Sequence, residues 1–417
     1  MGNRLKAILL IGDGMADRPL KELNWKTPLE TAEKPHMDKI ARDGICGIMD
    51  PLSPGLPPGS DTATLALLGY DPFKVYSGRG ALEAIGSGVN VPSGAVAFRC
   101  NFATVDDQLV ILDRRAGRIS NEDASKLAES LQKVKLKKFE NVEFVFKNTV
   151  QHRAVLVLKG RSFSTAVSDS DPEKTGVKVL EVKPTAKTVE AEFTAHVLNE
   201  LLRQFHGILK DHPVNKDRVK RGLLPANIVL CRGAGTIPNV KAISKIYNVK
   251  TACVGAVPLV RGVCRAAGMD LINVKGATGT PQTDYMAKAE ATVRILKEYD
   301  FVLLHVKATD VASHDGNFKQ KIEIIEKIDE MLEYLLNNID LDSTYIAVTA
   351  DHTTSCLTRD HEGDPVPLAI FGPHVRKDEV EKYDERSCAR GGLNRIRGRD
   401  LMPILMNLIE KVKKFGA

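Results

Sequence analysis

The sequence predicts an α/β protein built on a doubly wound, mainly parallel β-sheet. Three continuous apolar runs support this prediction, and each ends shortly before an aspartate. They are residues 6–11 before Asp13, residues 301–306 before Asp310, and residues 345–349 before Asp351. Such runs are typical of strands buried on both faces of a parallel sheet, and ligands bind such sheets beyond the carboxyl ends of the strands. The three carboxylates are therefore expected to meet at one edge of the sheet.

Helical patterns alternate with these strands. The clearest covers residues 319–336, in which Ile325, Ile328, Leu332 and Leu335 recur at helical spacing. Further strands with buried character are predicted, mostly for the C-terminal half, at residues 227–231, 251–254, 271–274 and 367–371. Alternating strands and helices favour the doubly wound architecture over a helical bundle or an all-β fold.

The pattern changes between about residues 94 and 221, where shorter segments alternate between apolar and polar positions. Strands are predicted there at residues 96–105, 108–112, 142–146, 154–158 and 177–182, and helices at residues 121–134 and 188–209. A chain of 417 residues exceeds the usual size of a single core. We therefore predict a smaller inserted α+β domain at 94–221, which interrupts a catalytic domain formed by residues 1–93 and 222–417.

Composition restricts the kind of partner. Hydrophobic residues make up 43% and charged residues 27% of the chain, and no apolar run approaches the ~20 residues that span a bilayer. The net charge of +6 is mild and the basic stretches lack interleaved aromatic residues, so we expect an anionic small molecule rather than nucleic acid or a membrane. Seven scattered cysteines without a Cys-x-x-Cys pair argue against a disulfide framework and favour the cytoplasm. The oligomeric state stays open.

A candidate nucleophile stands near residue 60. Ser60 follows Pro57, Pro58 and Gly59 and directly precedes an apolar helical run. A rigid turn before a helix is a suitable way to present a hydroxyl group for reaction. The alternative interpretation is that the Ser60 side chain only caps the helix.

Possible metal ligands occur in three places in the C-terminal half. Asp310 and His314 are four residues apart and would share one face of a helical turn. Asp351 and His352 follow a predicted strand directly, and His361 lies in a turn nine residues after His352. Carboxylate and imidazole are ordinary ligands of zinc and manganese. Taken singly, each has a plain alternative: a surface ion pair, a helix cap, or a loop histidine.

The N-terminal candidate is Asp13, whose flanking glycines allow close approach of the backbone but also fit a simple turn. With Ser60 and the five residues just described, Asp13 completes a set of seven potential ligands, which is about the number that two metal ions require. One metal would lower the pKa of the Ser60 hydroxyl, and the second would neutralise phosphoryl oxygens. The set predicts phosphoryl transfer through a phosphoserine.

The order of these residues along the chain resembles that of the alkaline phosphatase superfamily. Within it, the chain is similar nearly end to end to the archaeal branch of the cofactor-independent (2,3-bisphosphoglycerate-independent) phosphoglycerate mutases. The motifs that carry the resemblance are at residues 11–17, 58–63, 77–80, 232–235, 275–279 and 350–354. The residues after Ser60 and after His352 differ from those of the bacterial enzymes, but the core metal positions are kept.

The resemblance implies a division of the ligands between two metal ions. One would be held by Asp13, Ser60, Asp351 and His352, and the other by Asp310, His314 and His361. Manganese is the expected metal, with zinc, cobalt or magnesium as alternatives. The family interconverts 3-phosphoglycerate and 2-phosphoglycerate in glycolysis and gluconeogenesis without 2,3-bisphosphoglycerate. By this likeness Ser60 carries the phosphoryl group while the inserted domain closes as a lid that excludes water.

The resemblance also implies residues that bind the substrate. Lys275 looks like the family's lysine near the phosphoserine, and an anionic substrate calls for arginines that bind with two parallel hydrogen bonds. The candidates are Arg114, Arg118, His152, Arg153, Asp169, Asp171 and Arg232. The alternatives are a metal-dependent phosphatase or phosphodiesterase and a phosphopentomutase-like enzyme.

Overall fold

The structure, a computed structural model, describes residues 4–136, 138–139, 141–160 and 162–416. The chain divides into two compact units, one made of Met1–Tyr76 with Asn239–Ala417 and the other of Ser77–Pro238. The second unit therefore begins at residue 77 rather than at the predicted 94, and it ends at 238 rather than at 221. Both differences come from elements that pack on the second unit's sheet.

In the described residues the strands are β1 (Lys6–Gly12), β2 (Ile45–Asp50), β3 (Val96–Val105), β4 (Ile111–Asp113), β5 (Glu143–Val150), β6 (Arg153–Lys159), β7 (Ile228–Gly235), β8 (Thr251–Val254), β9 (Asp270–Ile272), β10 (Phe301–Val306), β11 (Thr344–Thr349), β12 (Thr353–Ser355), β13 (Asp360–Glu362), β14 (Val366–Phe371) and β15 (Asn394–Arg397).

The helices of the same residues are α1 (Pro28–Thr31), α2 (Pro35–Asp43), α3 (Ser60–Leu67), α4 (Pro72–Val75), α5 (Arg79–Gly86), α6 (Asn121–Gln132), α7 (Val189–Lys210), α8 (Pro213–Lys220), α9 (Ile243–Tyr247), α10 (Pro258–Ala266), α11 (Tyr285–Ile295), α12 (Ala308–His314), α13 (Phe318–Asn338), α14 (Glu385–Cys388) and α15 (Gly398–Leu408), with a 3₁₀ turn at Lys21–Leu23. None of them is long and apolar enough to cross a membrane.

The first unit is built on a sheet with the strand order β15-β2-β14-β11-β1-β10-β8-β9. Its pairs are parallel except that β14 runs antiparallel to both β2 and β11. The central strand β1 pairs with β10 on one side and β11 on the other, and all three are buried along most of their length. This confirms the predicted α/β class and mainly parallel sheet.

The helices of the first unit form two packed groups. In one, α13 packs against α1, α2, α11 and α12, and in the other α3 packs against α10 and α15. The predicted apolar face of α13 is buried, since Ile325, Ile328, Leu332 and Leu335 are all inaccessible to solvent. Burial of this stripe, rather than helix propensity, supplies most of the helix's stability.

The second unit has an antiparallel sheet centred on β3, which pairs with β4, β6 and β7, while β5 pairs with β6. On one face of the sheet Phe98, Phe102 and Phe146 pack with residues of α6 and α7, including Leu127 and Phe205. The predicted strand at 227–231 corresponds to β7, and it was expected in the catalytic domain. That expectation is wrong, because β7 pairs with β3.

Other expectations also need correction. Residues 177–182 were predicted as a strand but form only one isolated bridge, between Val110 and Lys178. Their other backbone hydrogen bonds go to several separate segments of the chain, so no continuous ladder forms. Four strands of the described residues, β2, β12, β13 and β15, were not predicted. β15 is a short, largely exposed edge strand with a polar sequence, and such a strand leaves no apolar run in the sequence.

Candidate active site

The predicted aspartates of the first unit lie at the carboxyl ends of its three central strands. Asp13 directly follows β1, Asp351 follows β11 after one intervening residue, and Asp310 lies in α12, the helix that follows β10. Because these strands are parallel neighbours, their carboxyl ends share one edge. All three side chains are almost inaccessible to solvent. Buried carboxylates require compensating charge or hydrogen bonds, so their partners define the site.

Ser60 is the first residue of α3, and the helix cap is Gly59, which provides no side-chain cap. The Ser60 hydroxyl is therefore not the helix cap that the alternative interpretation suggested. Its Oγ atom lies 3.2 Å from His352 Nε2 and 3.3 Å from Lys307 Nζ, and the residue is 6% exposed. The hydroxyl is thus held among charged and polar groups instead of serving the helix.

Lys307 joins the parts of the site. Its ammonium nitrogen lies 2.8 Å from Asp13 Oδ1 and 2.6 Å from Asp310 Oδ2, in addition to its contact with Ser60. The sequence analysis missed this residue. Its position immediately after β10, at the carboxyl edge of the sheet, was the signal that could have identified it.

The imidazoles of His314 and His361 face the carboxylate of Asp310. Their Nε2 atoms lie 3.4 Å and 3.3 Å from Asp310 Oδ1. Their Nδ1 atoms each lie 2.7 Å from a backbone carbonyl, that of Arg359 for His314 and that of Pro58 for His361. A carbonyl accepts only, so Nδ1 carries a hydrogen, and Nε2 is the ring nitrogen that faces the carboxylate. This orientation is the one that metal-binding histidines adopt.

His352 is oriented in the same way. Thr354 Oγ1 donates to Asp310 Oδ1 and accepts from His352 Nδ1, both at 2.9 Å. The His352 ring also stacks on that of His361 with 3.7 Å between centroids. Burial lowers the pKa of His352 to about 4, so the ring is neutral near pH 7. Its Nε2 lone pair is therefore directed toward Ser60 and toward Asp13, whose Oδ1 is 3.4 Å away.

Two groups of ligand atoms are close enough to hold a metal ion. Those of Asp310, His352 and His361 lie within 4.8 Å of one another, and so do those of Asp13, His305 and Asp351. The second group includes His305, which the sequence analysis missed because it lies inside an apolar strand. His305 Nε2 lies 2.9 Å from Asp13 Oδ2. The grouping differs from the division that the resemblance implies, in which His352 shares a metal with Asp13.

The charges of the site are unbalanced in a way that suits cations. Burial and the neighbouring charge of Asp13 raise the pKa of Asp351 well above its usual range. Burial, the largest single influence, acts in the same direction on Asp13 and Asp310, but the Lys307 ammonium and hydrogen bonds from neighbouring histidines together lower the pKa of both carboxyls. Among the described residues Asp351 Oδ2 has no hydrogen-bond partner. Three buried carboxylates, several imidazoles and an orphaned oxygen are a donor set that fits divalent metal ions.

Four of the predicted substrate-binding residues come together in the second unit. Arg114 binds Asp171 with two hydrogen bonds, from Nε at 3.1 Å and from Nη2 at 2.7 Å. Arg232 Nε lies 3.9 Å from the same carboxylate. Asp169 accepts a hydrogen bond from the amide of Gly233 at 2.9 Å. Asp171 therefore holds Arg114 in place, whereas the close ion pair of Arg232 is with Glu173.

The other predicted residues have different surroundings. Arg118 and Lys275 are exposed, and Lys275 has no hydrogen bond or ion pair within the described part of the chain. The lysine that contacts Ser60 is Lys307 instead. His152 is half-buried, and burial together with Arg153 and other nearby arginines lowers its pKa to about 4. Arg153 lies opposite Asn101 in the pairing of β6 with β3.

The arrangement in the first unit defines a class of enzyme. A parallel sheet that collects a buried serine, several carboxylates and oriented imidazoles at its carboxyl edge is suited to metal-assisted phosphoryl transfer. The serine is suited to act as a nucleophile, and the acidic and imidazole groups are suited to bind metal ions.

Comparison with known proteins identifies the family. A family model described as 2,3-bisphosphoglycerate-independent phosphoglycerate mutase matches residues 41–215. The 2,3-bisphosphoglycerate-independent phosphoglycerate mutase 1 of Methanocaldococcus jannaschii is 48% identical over 412 residues, which cover 99% of each chain. A solved protein from Pyrococcus horikoshii (40% identity, TM-score 0.88) covers 99% of this chain and 100% of its own. The cofactor-independent phosphoglycerate mutase of Thermoplasma acidophilum (38%, TM-score 0.70) covers 97% and 100%. The chain belongs to the 2,3-bisphosphoglycerate-independent phosphoglycerate mutases.

Proposed function

We propose that the protein interconverts 3-phosphoglycerate and 2-phosphoglycerate through a phosphoserine at Ser60, without 2,3-bisphosphoglycerate. Full-length similarity to mutases of this family supports the reaction. The observation that carries the mechanism is the buried Ser60 hydroxyl, which lies between His352 and Lys307 rather than capping its helix.

The reaction consists of two phosphoryl transfers. Ser60 Oγ loses its proton and forms a bond to phosphorus while the bond from phosphorus to the substrate's C3 oxygen breaks. The C3 oxygen gains a proton, which leaves glycerate and phosphoserine. The C2 hydroxyl of the glycerate then loses its proton and attacks the phosphorus, and the bond to Ser60 Oγ breaks, which returns a proton to the serine. Both half-reactions use the same groups in opposite directions, so no additional phosphate donor is required.

Lys307 has a defined part in this scheme. Its ammonium is fixed by Asp13 and Asp310 and lies within reach of Ser60 Oγ. A cation held in this way stabilises negative charge that develops on the phosphoryl oxygens and costs no reorganisation during the reaction. We therefore assign to Lys307 the charge-stabilising role that the sequence analysis gave to Lys275.

Two divalent cations complete the proposed site. Asp13, Ser60, Asp351 and His352 would hold one, and Asp310, His314 and His361 the other, with His305 as an additional contact of Asp13. When bound, the cations would lower the pKa of the Ser60 hydroxyl and neutralise phosphoryl oxygens. Manganese is the proposed metal, with zinc, cobalt or magnesium as alternatives.

The second unit would contribute groups that recognise the substrate's anionic parts. Arg114, held by Asp171, and Arg232, which lies beside Asp171 and pairs with Glu173, are the candidates that the geometry of this unit supports best. That this unit acts as a lid which excludes water stays a prediction from the sequence. A cytoplasmic location likewise stays a prediction.

The test is to incubate the purified protein with manganese and 3-phosphoglycerate and to follow both products. We expect 2-phosphoglycerate to form without release of inorganic phosphate, and 2,3-bisphosphoglycerate should not stimulate the reaction. Release of phosphate without 2-phosphoglycerate would identify a phosphatase instead. Turnover of ribose phosphates in preference to phosphoglycerate would identify a phosphopentomutase-like enzyme.

A further inference from the structure

A buried lysine, Lys321, lies next to the site, although its hydrogen bonds go to none of the proposed metal ligands. It is the fourth residue of α13 and is inaccessible to solvent. Its ammonium donates hydrogen bonds to Asp17 Oδ2 at 2.9 Å, to the carbonyl oxygen of Ala16 at 3.0 Å and to that of Thr354 at 2.9 Å. An ammonium group has three donors, so these bonds satisfy Lys321 completely.

Neither helix formation nor packing calls for a cation at this position. The helix dipole favours negative groups near the start of a helix and positive groups near its end. Lysine is almost never fully buried unless it is paired, and an apolar side chain of similar volume often stabilises a fold as well as a buried ion pair does. The position of Lys321 is therefore better explained by what its three hydrogen bonds hold together.

The three acceptors belong to two segments that begin with proposed metal ligands. Residues 13–17 lie just beyond β1 and start with Asp13. Residues 351–356 lie just beyond β11 and start with Asp351 and His352. Each segment therefore carries ligands at its first residues and is bound by the lysine ammonium farther along.

The two segments also bind each other directly at the place where Lys321 meets them. The amide of Thr354 donates to the carbonyl oxygen of Ala16 at 3.2 Å, and the amide of Cys356 donates to the carboxylate of Asp17 at 3.2 Å. Ala16 and Asp17 thus accept hydrogen bonds both from the second segment and from the ammonium. Lys321 completes this junction from the side of α13.

The third group of proposed ligands is connected to the junction through α13 itself. The preceding helix α12 contains Asp310 and His314, and it packs against α13. Between the two helices, the amide of Asn317 donates to the carbonyl oxygen of Ala312 at 2.8 Å. Lys321 therefore lies where all three segments that carry proposed ligands meet.

Thr354 connects this junction to the ligands. Lys321 holds its carbonyl oxygen, while its hydroxyl donates to Asp310 Oδ1 and accepts from His352 Nδ1, both at 2.9 Å. A Cβ atom on Gly14 would lie 2.3 Å from Thr354 Oγ1, so the hydroxyl has little room to move. Fixing the backbone of Thr354 therefore fixes the hydroxyl that orients two of the ligands.

We propose that Lys321 is a positioning residue that acts through Thr354 and keeps the three ligand segments assembled for divalent cations; this inference rests on the proposed function. The carboxylates of Asp13, Asp310 and Asp351 repel one another, so groups outside the site must hold their segments together until a cation binds. A site that is already assembled binds a cation more tightly, because less ordering accompanies binding. Lys321 itself contacts neither cation nor substrate.

The test measures manganese affinity by calorimetry in protein that combines Lys321→Met with Asp17→Asn. The pair of changes removes the ammonium without leaving the Asp17 carboxylate as an unpaired buried charge. We expect manganese affinity to fall by at least about 10-fold, the scale for groups that orient metal ligands, while circular dichroism stays native. The matched control is Lys34→Met with Asp38→Asn, which removes another buried lysine of the same unit, whose ammonium lies 3.1 Å from Asp38 Oδ1. The control should leave manganese affinity unchanged.

A double-mutant cycle separates positioning from a general loosening of the fold. Thr354→Val removes the hydroxyl and keeps the shape, so it should lower manganese affinity by at least about 10-fold, whereas Thr354→Ser keeps the hydroxyl and should stay close to wild type. Because Lys321 acts through Thr354, adding Thr354→Val to the Lys321→Met and Asp17→Asn protein should lower the affinity by less than about 3-fold more.

Two results overturn the proposal: manganese affinity of the Lys321→Met and Asp17→Asn protein within about two-fold of wild type, or losses that multiply in the cycle. If that protein does not fold, Lys321→Gln with Asp17→Asn keeps a polar side chain in the buried position and is judged by the same criteria. Wild-type protein that binds manganese but does not interconvert the phosphoglycerates would refute the proposed function alone. Active wild type together with undiminished manganese binding in the Lys321 variant would refute the positioning role alone.

Discussion

The ammonium of Lys307 lies 2.8 Å from Asp13 Oδ1 and belongs to the same site as the Ser60 hydroxyl. Lys307 is half-buried, and it also contacts the carboxylate of Asp310. Opposite charges hold the pKa of Lys307 above its usual range, so the group stays cationic. A permanent cation beside the nucleophile would stabilise the transferring phosphoryl group.

Replacement of Lys307 by methionine removes this cation and keeps a similar length of side chain. We expect kcat at saturating manganese to fall by about 10²–10³-fold, as for other groups that stabilise transition-state charge. Lys297→Met, a change at an exposed lysine of the same unit, is the control and should be near wild type. A kcat of Lys307→Met within about two-fold of wild type would refute the assigned role.

Metal removal tests the ligand set. Chelation should abolish mutase activity, and manganese should restore it, because three buried carboxylates require cations. Asp351→Asn keeps the size of the side chain but removes the charge, so it should weaken manganese binding in calorimetry by at least about 10-fold, the scale seen for changes around metal sites. The control is Asp342→Asn at an exposed position. Unchanged manganese affinity in Asp351→Asn would mean that the metal lies elsewhere.

Glu385 gives a pH dependence of stability away from the active site. Its carboxylate accepts hydrogen bonds from the Asp17 amide at 3.0 Å and from Thr27 Oγ1 at 2.8 Å. Burial raises the pKa of Glu385 from 4.5 to about 7. The folded protein therefore binds a proton that the unfolded chain releases, so this stabilisation is complete below pH 4.5 and is lost as the pH rises through 7.

The Glu385→Gln variant should lack this dependence. Between pH 5 and 8 the free energy of unfolding of wild type should fall by about 2 kcal/mol relative to that of the variant, after allowance for partial exposure of Glu385. Denaturant titrations at several pH values measure the difference. Parallel curves for the two proteins would show that Glu385 titrates normally.

The close contact of Gly80 with β3 predicts a strong stability effect. An added methyl group at Gly80 would meet the carbonyl oxygen of Ala97, so Gly80→Ala should destabilise the second unit by at least about 2 kcal/mol. Gly207 is exposed within α7 and has no atom near an added Cβ. Gly207→Ala should therefore stabilise the protein by about 0.5–1 kcal/mol, because alanine favours the helix. Thermal unfolding measures both changes. A stabilised Gly80→Ala protein together with a destabilised Gly207→Ala protein would contradict the packing described.

The parts of the fold that the sequence predicted are those with strong local patterns. The central strands β1, β10 and β11 are continuous apolar runs, and α13 has a regular apolar stripe, so each could be recognised from its own residues. β7 was recognised as a strand but assigned to the wrong sheet. Pairing with β3 is a property of the folded chain and leaves no sign in the local sequence.

The same limit applies to the site. Asp13, Asp310 and Asp351 could be placed at one edge because strand ends meet there in a parallel sheet. His305 and Lys307 could not be found in the same way, since a histidine within an apolar strand and a lysine after it have ordinary structural explanations.

The central claim is that Ser60 carries the phosphoryl group, and mass spectrometry of the intact and digested protein tests it most directly. After rapid acid quenching of wild-type enzyme turning over 3-phosphoglycerate with manganese, we expect one added phosphoryl group per chain in a fraction of the molecules, located on Ser60. Ser60→Ala should show no added mass and no mutase activity. Full mutase activity in Ser60→Ala, or phosphate on another residue of active wild-type enzyme, would contradict the account.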